Sequence, residues 1–273
     1  MDREKISLAG AQETMLATLW SRALDSRSPR SILKDEVAQQ AVERIDYDFA
    51  KTGITPMTAA GVALRALRID EWTRDFLRRH PTATVLHLAC GLDTRAQRID
   101  PGPLVRWFDL DYPEVLELRD RVIDRPDGDY HTIASSVTSE KWLGAVPDDR
   151  PTAVVFEGLS MYLREDDGRR LIERLTSRFA TGELIFDCQS STGIRLQKLN
   201  RPVRQTGATL HWAIDDPRTL ESWHPGLTLR EAQRMVDMPG VEDYPLGGRV
   251  AMWIMAHLPG FRNIGQILRY SWS

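Results

Sequence analysis

The chain changes its hydrophobic period once. Up to about residue 80, apolar side chains recur every three to four positions, as they do on an amphipathic helix. Residues 14–20 and 36–42 are two such stretches, separated by the turn-rich run 26–31. A second break at Gly53-Ile54-Thr55-Pro56 precedes a long helix through Arg65 towards His80. Thr58 is the expected N-cap of that helix, and Pro81 ends it, because the residue before a proline avoids the α region.

From residue 84 the pattern becomes short apolar runs alternating with helical stretches, which predicts a parallel α/β sheet. Strands are expected at 84–88, 105–111, 130–136, 152–157 and 183–188, with helices from Tyr112 to Arg119 and from Asp166 to Arg178. After residue 190 the alternation weakens. Residues 209–214 read as a sixth strand, 249–258 as a helix and 267–272 as a final strand. The organisation that follows is a helical N-terminal cover over 1–80 and a core over 81–273, with a lid insertion at about 191–245.

The first strand runs into Ala89-Cys90-Gly91, then Asp93 and Thr94, which suit the start of a helix. Small side chains there let a ligand approach the backbone, and the helix start adds a weakly positive edge. Acidic residues follow the other strands: Asp111 the second, with Asp109 close by, and Glu157 the fourth. In a parallel sheet these ends share one edge and converge on one crevice. A carboxylate after the second strand is placed to accept hydrogen bonds from ribose hydroxyls. A dinucleotide site should show G-x-G-x-x-G, and a P-loop G-x-x-x-x-G-K-[ST]; neither is present. The turn suits an uncharged nucleoside with an amino-acid tail, such as S-adenosylmethionine, better than a pyrophosphate.

Four ordered motifs give the chain a family resemblance. Residues 88–98, Leu-Ala-Cys-Gly-Leu-Asp-Thr-Arg-Ala-Gln-Arg, are close to G-x-G-L-D-T-R-x-x-R. Phe108-Asp109-Leu110-Asp111-Tyr112-Pro113 resembles a second-strand motif ending D-x-P, and residues 157–163 resemble E-G-L-x-M-Y-L. Upstream, Arg65 to Glu71 is similar to R-T-x-x-I-D-[DE]. Together they resemble the leucine carboxyl methyltransferase family, in particular a bacterial branch acting on polyketides.

The resemblance implies a class I methyltransferase, Rossmann-like fold: a seven-stranded, mostly parallel sheet under a helical cover. It implies S-adenosyl-L-methionine as cofactor and O-methylation of a carboxyl or hydroxyl group on a small, polyketide-like molecule. Arg65 would hold the methionyl carboxylate, and Ala89, Cys90, Gly91 and Asp93 would line the tail. Asp111 would bind the ribose, Ser136 would lie near the adenine, and Glu157 would face the amino-acid portion. Two positions depart from the family pattern. Ala89 replaces the first glycine, and Ser136-Val137 stands where an Asp-Leu pair is common. These departures support a competing reading, a cofactor-binding relative that does not catalyse. A nicotinamide dehydrogenase is disfavoured by the missing glycines.

A carboxylate acceptor would need no general base. A phenol would benefit from one, with His211 or His224 as candidates, although packing or surface positions are the commoner fate of such histidines. Trp212, Trp223 and Trp253 could line an aromatic pocket, again against the commoner role of core packing. Tyr162 is expected to pack beside the cofactor.

Composition narrows partners and compartment. The net charge of -3 gives no basic surface for nucleic acid or an anionic membrane, and the 36 basic residues are nearly all arginine. Cys90 and Cys188 sit alone in apolar runs, so neither a disulfide framework nor a metal site is expected. The first residues lack the apolar stretch of a signal peptide, and no run is long enough to span a bilayer. A cytoplasmic protein acting on a small molecule is expected.

Overall fold

The computed structural model describes residues 4–5, 14–199, 203–204, 207–241, 244 and 246–273. The cover consists of α1 (Thr14–Ser26), α2 (Glu36–Arg44) and α3 (Pro56–Arg79). Helix α3 begins earlier than expected. Thr55, not Thr58, is its N-cap, with Oγ1 accepting the Thr58 N–H at 3.2 Å. Pro56 at the first helical position has no N–H to leave unsatisfied, so the break and the helix start coincide.

The core follows as β1 (Thr84–Leu88), α4 (Arg95–Ile99), β2 (Arg106–Asp111), α5 (Pro113–Val122), β3 (Asp129–Ala134) and β4 (Thr152–Phe156). Then come α6 (Glu165–Arg178), β5 (Gly182–Gln189), α7 (Ser191–Arg195), β6 (Thr228–Arg234), α8 (Leu246–His257) and β7 (Gly265–Trp272). Seven strands form one sheet in the order β3-β2-β1-β4-β5-β7-β6. Only β7 runs against the others, as the antiparallel partner of both β5 and β6. This is the seven-stranded, mostly parallel sheet that the resemblance implied. The regular alternation fails once: a 3-10 turn at Lys141–Ala145 replaces a helix between β3 and β4.

One expectation after residue 190 is corrected. Residues 209–214 are extended but belong to no sheet. The N–H of His211 donates to Met161 O at 2.7 Å, and that of Ile214 donates to Gln189 O at 2.9 Å. Leu210, Trp212 and Ile214 are all buried, so the alternation is real, but it packs the segment against α6, the end of β5 and the turn at Met161. The actual sixth strand, Thr-Leu-Arg-Glu-Ala-Gln-Arg, lies at the sheet edge and keeps mostly polar, partly exposed side chains. An edge strand of this kind carries little hydrophobic signal.

Strand residues alternate between two apolar layers, as a pleated strand requires. Leu86, Phe108, Val154, Phe186 and Leu268 pack towards α6, whereas Val85, Trp107, Val155 and Ile185 pack under α3. The small residues Ala59, Ala63 and Ala66 lie on the buried face of α3. The cover therefore shares the core of the sheet.

Candidate functional site

Chain direction across the sheet reverses between β1 and β4, and the crevice of an open α/β sheet forms at such a point, beyond the strand ends. A cavity of about 510 Å3 lies there. Arg65, Ala89, Cys90, Gly91, Asp93, Asp111, Ser136 and Glu157 all line it, drawn from α3, the β1 turn and the ends of β2, β3 and β4.

The turn after β1 is built on two left-handed residues, Ala89 at φ 51° and Gly91 at φ 50°. Only glycine adopts this conformation without cost, so Ala89 is strained by its Cβ. The Gly91 N–H donates to Asp111 Oδ2 at 2.7 Å, and the Tyr112 N–H donates to Oδ1 at 2.8 Å. Burial pushes the Asp111 carboxyl above its usual range, and those two backbone N–H groups oppose the shift. The Ser136 hydroxyl is bonded to that of Thr138 at 2.8 Å in the loop after β3. Burial pushes the Cys90 thiol above its usual range, which disfavours the nucleophilic thiolate.

Arg65 is already engaged within the protein. Its Nε donates to Glu157 Oε1 at 2.9 Å and its Nη1 to Asp187 Oδ2 at 3.0 Å. Glu157 in turn accepts from Arg95 Nη2 through Oε2 at 2.6 Å. Burial alone would raise the Glu157 carboxyl, but Arg65 and Arg95 outweigh it and hold it below the usual range.

Asp93 lines the cavity and is ion-paired within the protein. Its carboxylate lies 2.7 Å from Arg98 Nη1 and 3.3 Å from Arg95 Nη2. Burial opposes its ionisation, yet Arg95, Arg98 and Arg22 hold it well below the usual carboxylate range. Arg95 is fully buried and also donates to Asp70 at 2.7 Å and to His87 Nε2 at 3.2 Å. An arginine can only donate, so His87 Nε2 accepts and the ring proton sits on Nδ1, 3.0 Å from Asp109.

The candidate bases and pocket aromatics are elsewhere. His211 is exposed, and His224 Nδ1 accepts the Gly226 N–H at 3.2 Å in a turn. Trp212 is buried against Gly168 and stacks on Trp223 with ring centroids 5.7 Å apart. Trp253 is 63% exposed on α8. None of the five lines the cavity. Tyr162 does line it, and its hydroxyl bonds with Thr14 at the start of α1.

Sequence reasoning placed the N-terminal helices over the site but did not single out Met15, Thr18 and Arg22 of α1 as its wall, because helical spacing does not reveal what a helix faces. It also missed His87 and Asp187, although a signal existed. Each is a titratable residue inside an apolar strand, where an unpaired charge would be costly.

Residues 15–176 match the family described as leucine carboxyl methyltransferase. The tetracenomycin polyketide synthesis O-methyltransferase TcmP of Streptomyces glaucescens is 44% identical over 271 residues, covering 98% of this chain and 99% of that one. The S-adenosyl-L-methionine-dependent methyltransferase dpfgK of Gibberella zeae is 38% identical over 251 residues, covering 85% and 84%. Among solved structures, a DUF574 family protein from Streptomyces avermitilis superposes with a TM-score of 0.58 at 13% identity, covering 93% of this chain and 97% of that one. That likeness concerns the fold alone.

Proposed function

The chain belongs to the leucine carboxyl methyltransferase family and is an S-adenosylmethionine-dependent methyltransferase; from that premise we propose that its acceptor is the carboxylate of a small, largely apolar molecule. The donor set of the cavity fits the cofactor. Each Asp111 oxygen takes one backbone N–H, and its remaining lone pairs can accept from ribose hydroxyls. The Arg65 guanidinium has further N–H groups beyond those spent on Glu157 and Asp187, and they can meet the methionyl carboxylate. The turn at Ala89 to Gly91 would line the methionyl tail, and Ser136 would lie near the adenine.

The cofactor supplies an electrophilic methyl group on a positively charged sulfur. The residues of the chain would align the acceptor oxygen with that carbon and exclude water. Met15, Ile54, Val62, Met161, Val203 and Leu210 supply apolar wall for the acceptor. The N-terminal helices and the insertion at about 191–245, which carries Leu210 to this wall, would form the lid that selects it.

One observation carries the choice of acceptor. Among the described lining residues, every strong base is committed. His87 donates from Nδ1 and accepts at Nε2, Asp93 and Glu157 are ion-paired, and Asp111 holds two backbone N–H groups. A carboxylate is already ionised at neutral pH and needs no proton removed. The polyketide-synthesis name of the Streptomyces glaucescens relative supports a polyketide-like acid.

The test is a turnover screen of aromatic acids and matched phenols, with products identified by mass spectrometry and mild alkaline hydrolysis. A methyl ester hydrolyses under those conditions and is the expected product; a hydrolysis-resistant ether would overturn the proposal. Asp111→Ala should abolish measurable cofactor binding by calorimetry, and unchanged affinity would contradict the ribose role.

A further inference from the structure

Asp187 lies outside the cavity lining, is fully buried, and sits near the end of β5 beside β4. Three bonds from two other elements converge on it. Oδ2 accepts from Arg65 Nη1 at 3.0 Å, Oδ1 accepts the Gly158 N–H at 2.6 Å, and its backbone oxygen accepts the Ser160 hydroxyl at 2.7 Å. Neutralising Arg65 does not require this residue, because Glu157 already lies 2.9 Å from both Nε and Nη2. A second buried carboxylate carries a desolvation cost, so its presence calls for another reason. Gly158 has φ 67° and open space around its Cα, so its backbone conformation, not crowding, sets this turn.

We infer that Asp187 is a positioning residue for the cofactor's amino-acid tail. It fixes the Arg65 guanidinium from the side that Glu157 does not hold, and it pins the Gly158 turn so that Glu157 faces Arg65. With Glu157 alone, the guanidinium could rotate about a single acceptor oxygen. Acceptors at Nη1 and at Nε fix its plane and leave the outer N–H groups aimed at the cavity. The inference rests on the cofactor reading above.

The experiment compares S-adenosylhomocysteine with methylthioadenosine, which keeps the nucleoside and lacks the amino-acid tail, by calorimetry. Asp187→Asn preserves an acceptor for Gly158 but removes the charge facing Arg65. It should weaken S-adenosylhomocysteine by about tenfold, the order that a lost charge-assisted hydrogen bond costs, and leave methylthioadenosine unchanged. Adding Asp187→Asn to Arg65→Ala should cost nothing further for the tailed ligand. Equal losses for both ligands, no loss, or additive losses in the double variant would overturn the role of Asp187. If Asp187→Asn does not fold, Ser160→Ala should show a smaller loss confined to the tailed ligand, and equal losses there overturn it too. Failure of the unaltered protein to bind S-adenosylhomocysteine would instead sink the cofactor reading itself.

Discussion

Ala89 holds its left-handed φ of 51° at the point where the family pattern has glycine. The strain of a Cβ in that region is roughly 1 kcal/mol, so Ala89→Gly should stabilise the protein by about that amount, less what the freer unfolded chain takes back. Urea unfolding measures it; a midpoint that falls would show that the turn does not carry the strain. Arg95 lies at the opposite extreme. Its guanidinium is fully buried among Asp70, Asp93 and Glu157. Arg95→Met leaves those carboxylates under-compensated and should cost about 3–5 kcal/mol. A loss below 1 kcal/mol in chemical denaturation would mean that water or rearrangement compensates them. The sequence displayed both positions inside a recognisable motif, but only their neighbours in space show that one is strained and the other a core ion.

At the scale of elements, the segment from residue 207 to 214 decides one wall of the cavity. Gln197 brackets Leu210 by accepting its N–H at 2.8 Å and donating to its carbonyl at 3.2 Å. Trp212, two residues on, presses its ring against Gly168 of α6, where an added Cβ would sit 2.3 Å from the ring. Gly168→Ala should therefore destabilise by on the order of 1–3 kcal/mol through overpacking. Because the same segment carries Leu210 to the cavity, the variant should raise the acceptor KM while cofactor affinity holds. A change in cofactor affinity alone would detach the segment from the acceptor side. The alternation of 209–214 was legible, and its partner was not. Period two says only that one side is buried, not which element does the covering.

For the molecule as a whole, buried ion pairs join the cover to the sheet. Asp35 at the start of α2 meets Arg22 of α1 and Arg98 of α4, and Asp70 of α3 meets both Arg95 and Arg98. Further along the same side, Asp109 takes bonds from His87, the Trp107 indole and the Tyr130 hydroxyl, with Arg119 Nη2 at 2.7 Å. Burial would raise the Asp109 carboxyl, but Arg119 and these donors lower it to about 2. A depressed folded-state pKa gives stability that is complete above the unfolded value near 4 and is lost as pH falls towards 2. The size is about 2 kcal/mol. Consequently the stability gap between the unaltered protein and Asp109→Asn should narrow as pH drops from 5 to 2.5. A gap independent of pH would place the contribution of Asp109 outside its charge.

The order of strands and helices from residue 84 to 188, and the residues at the strand ends, were determined locally. Period, turn chemistry and four spaced motifs are properties of neighbouring positions, and they sufficed for the first five strands and for residues that line one cavity. Tertiary structure alone decided that Arg65 shares its charge with Glu157 and Asp187, that Met15, Thr18 and Arg22 are the α1 side chains facing the crevice, and that His211, Trp212, Trp223 and Trp253 face elsewhere. Those outcomes depend on which surfaces meet across more than a hundred residues of chain. A buried charge chooses its partner by the cost of leaving it unpaired, and that choice exists only once the fold has brought the partners together.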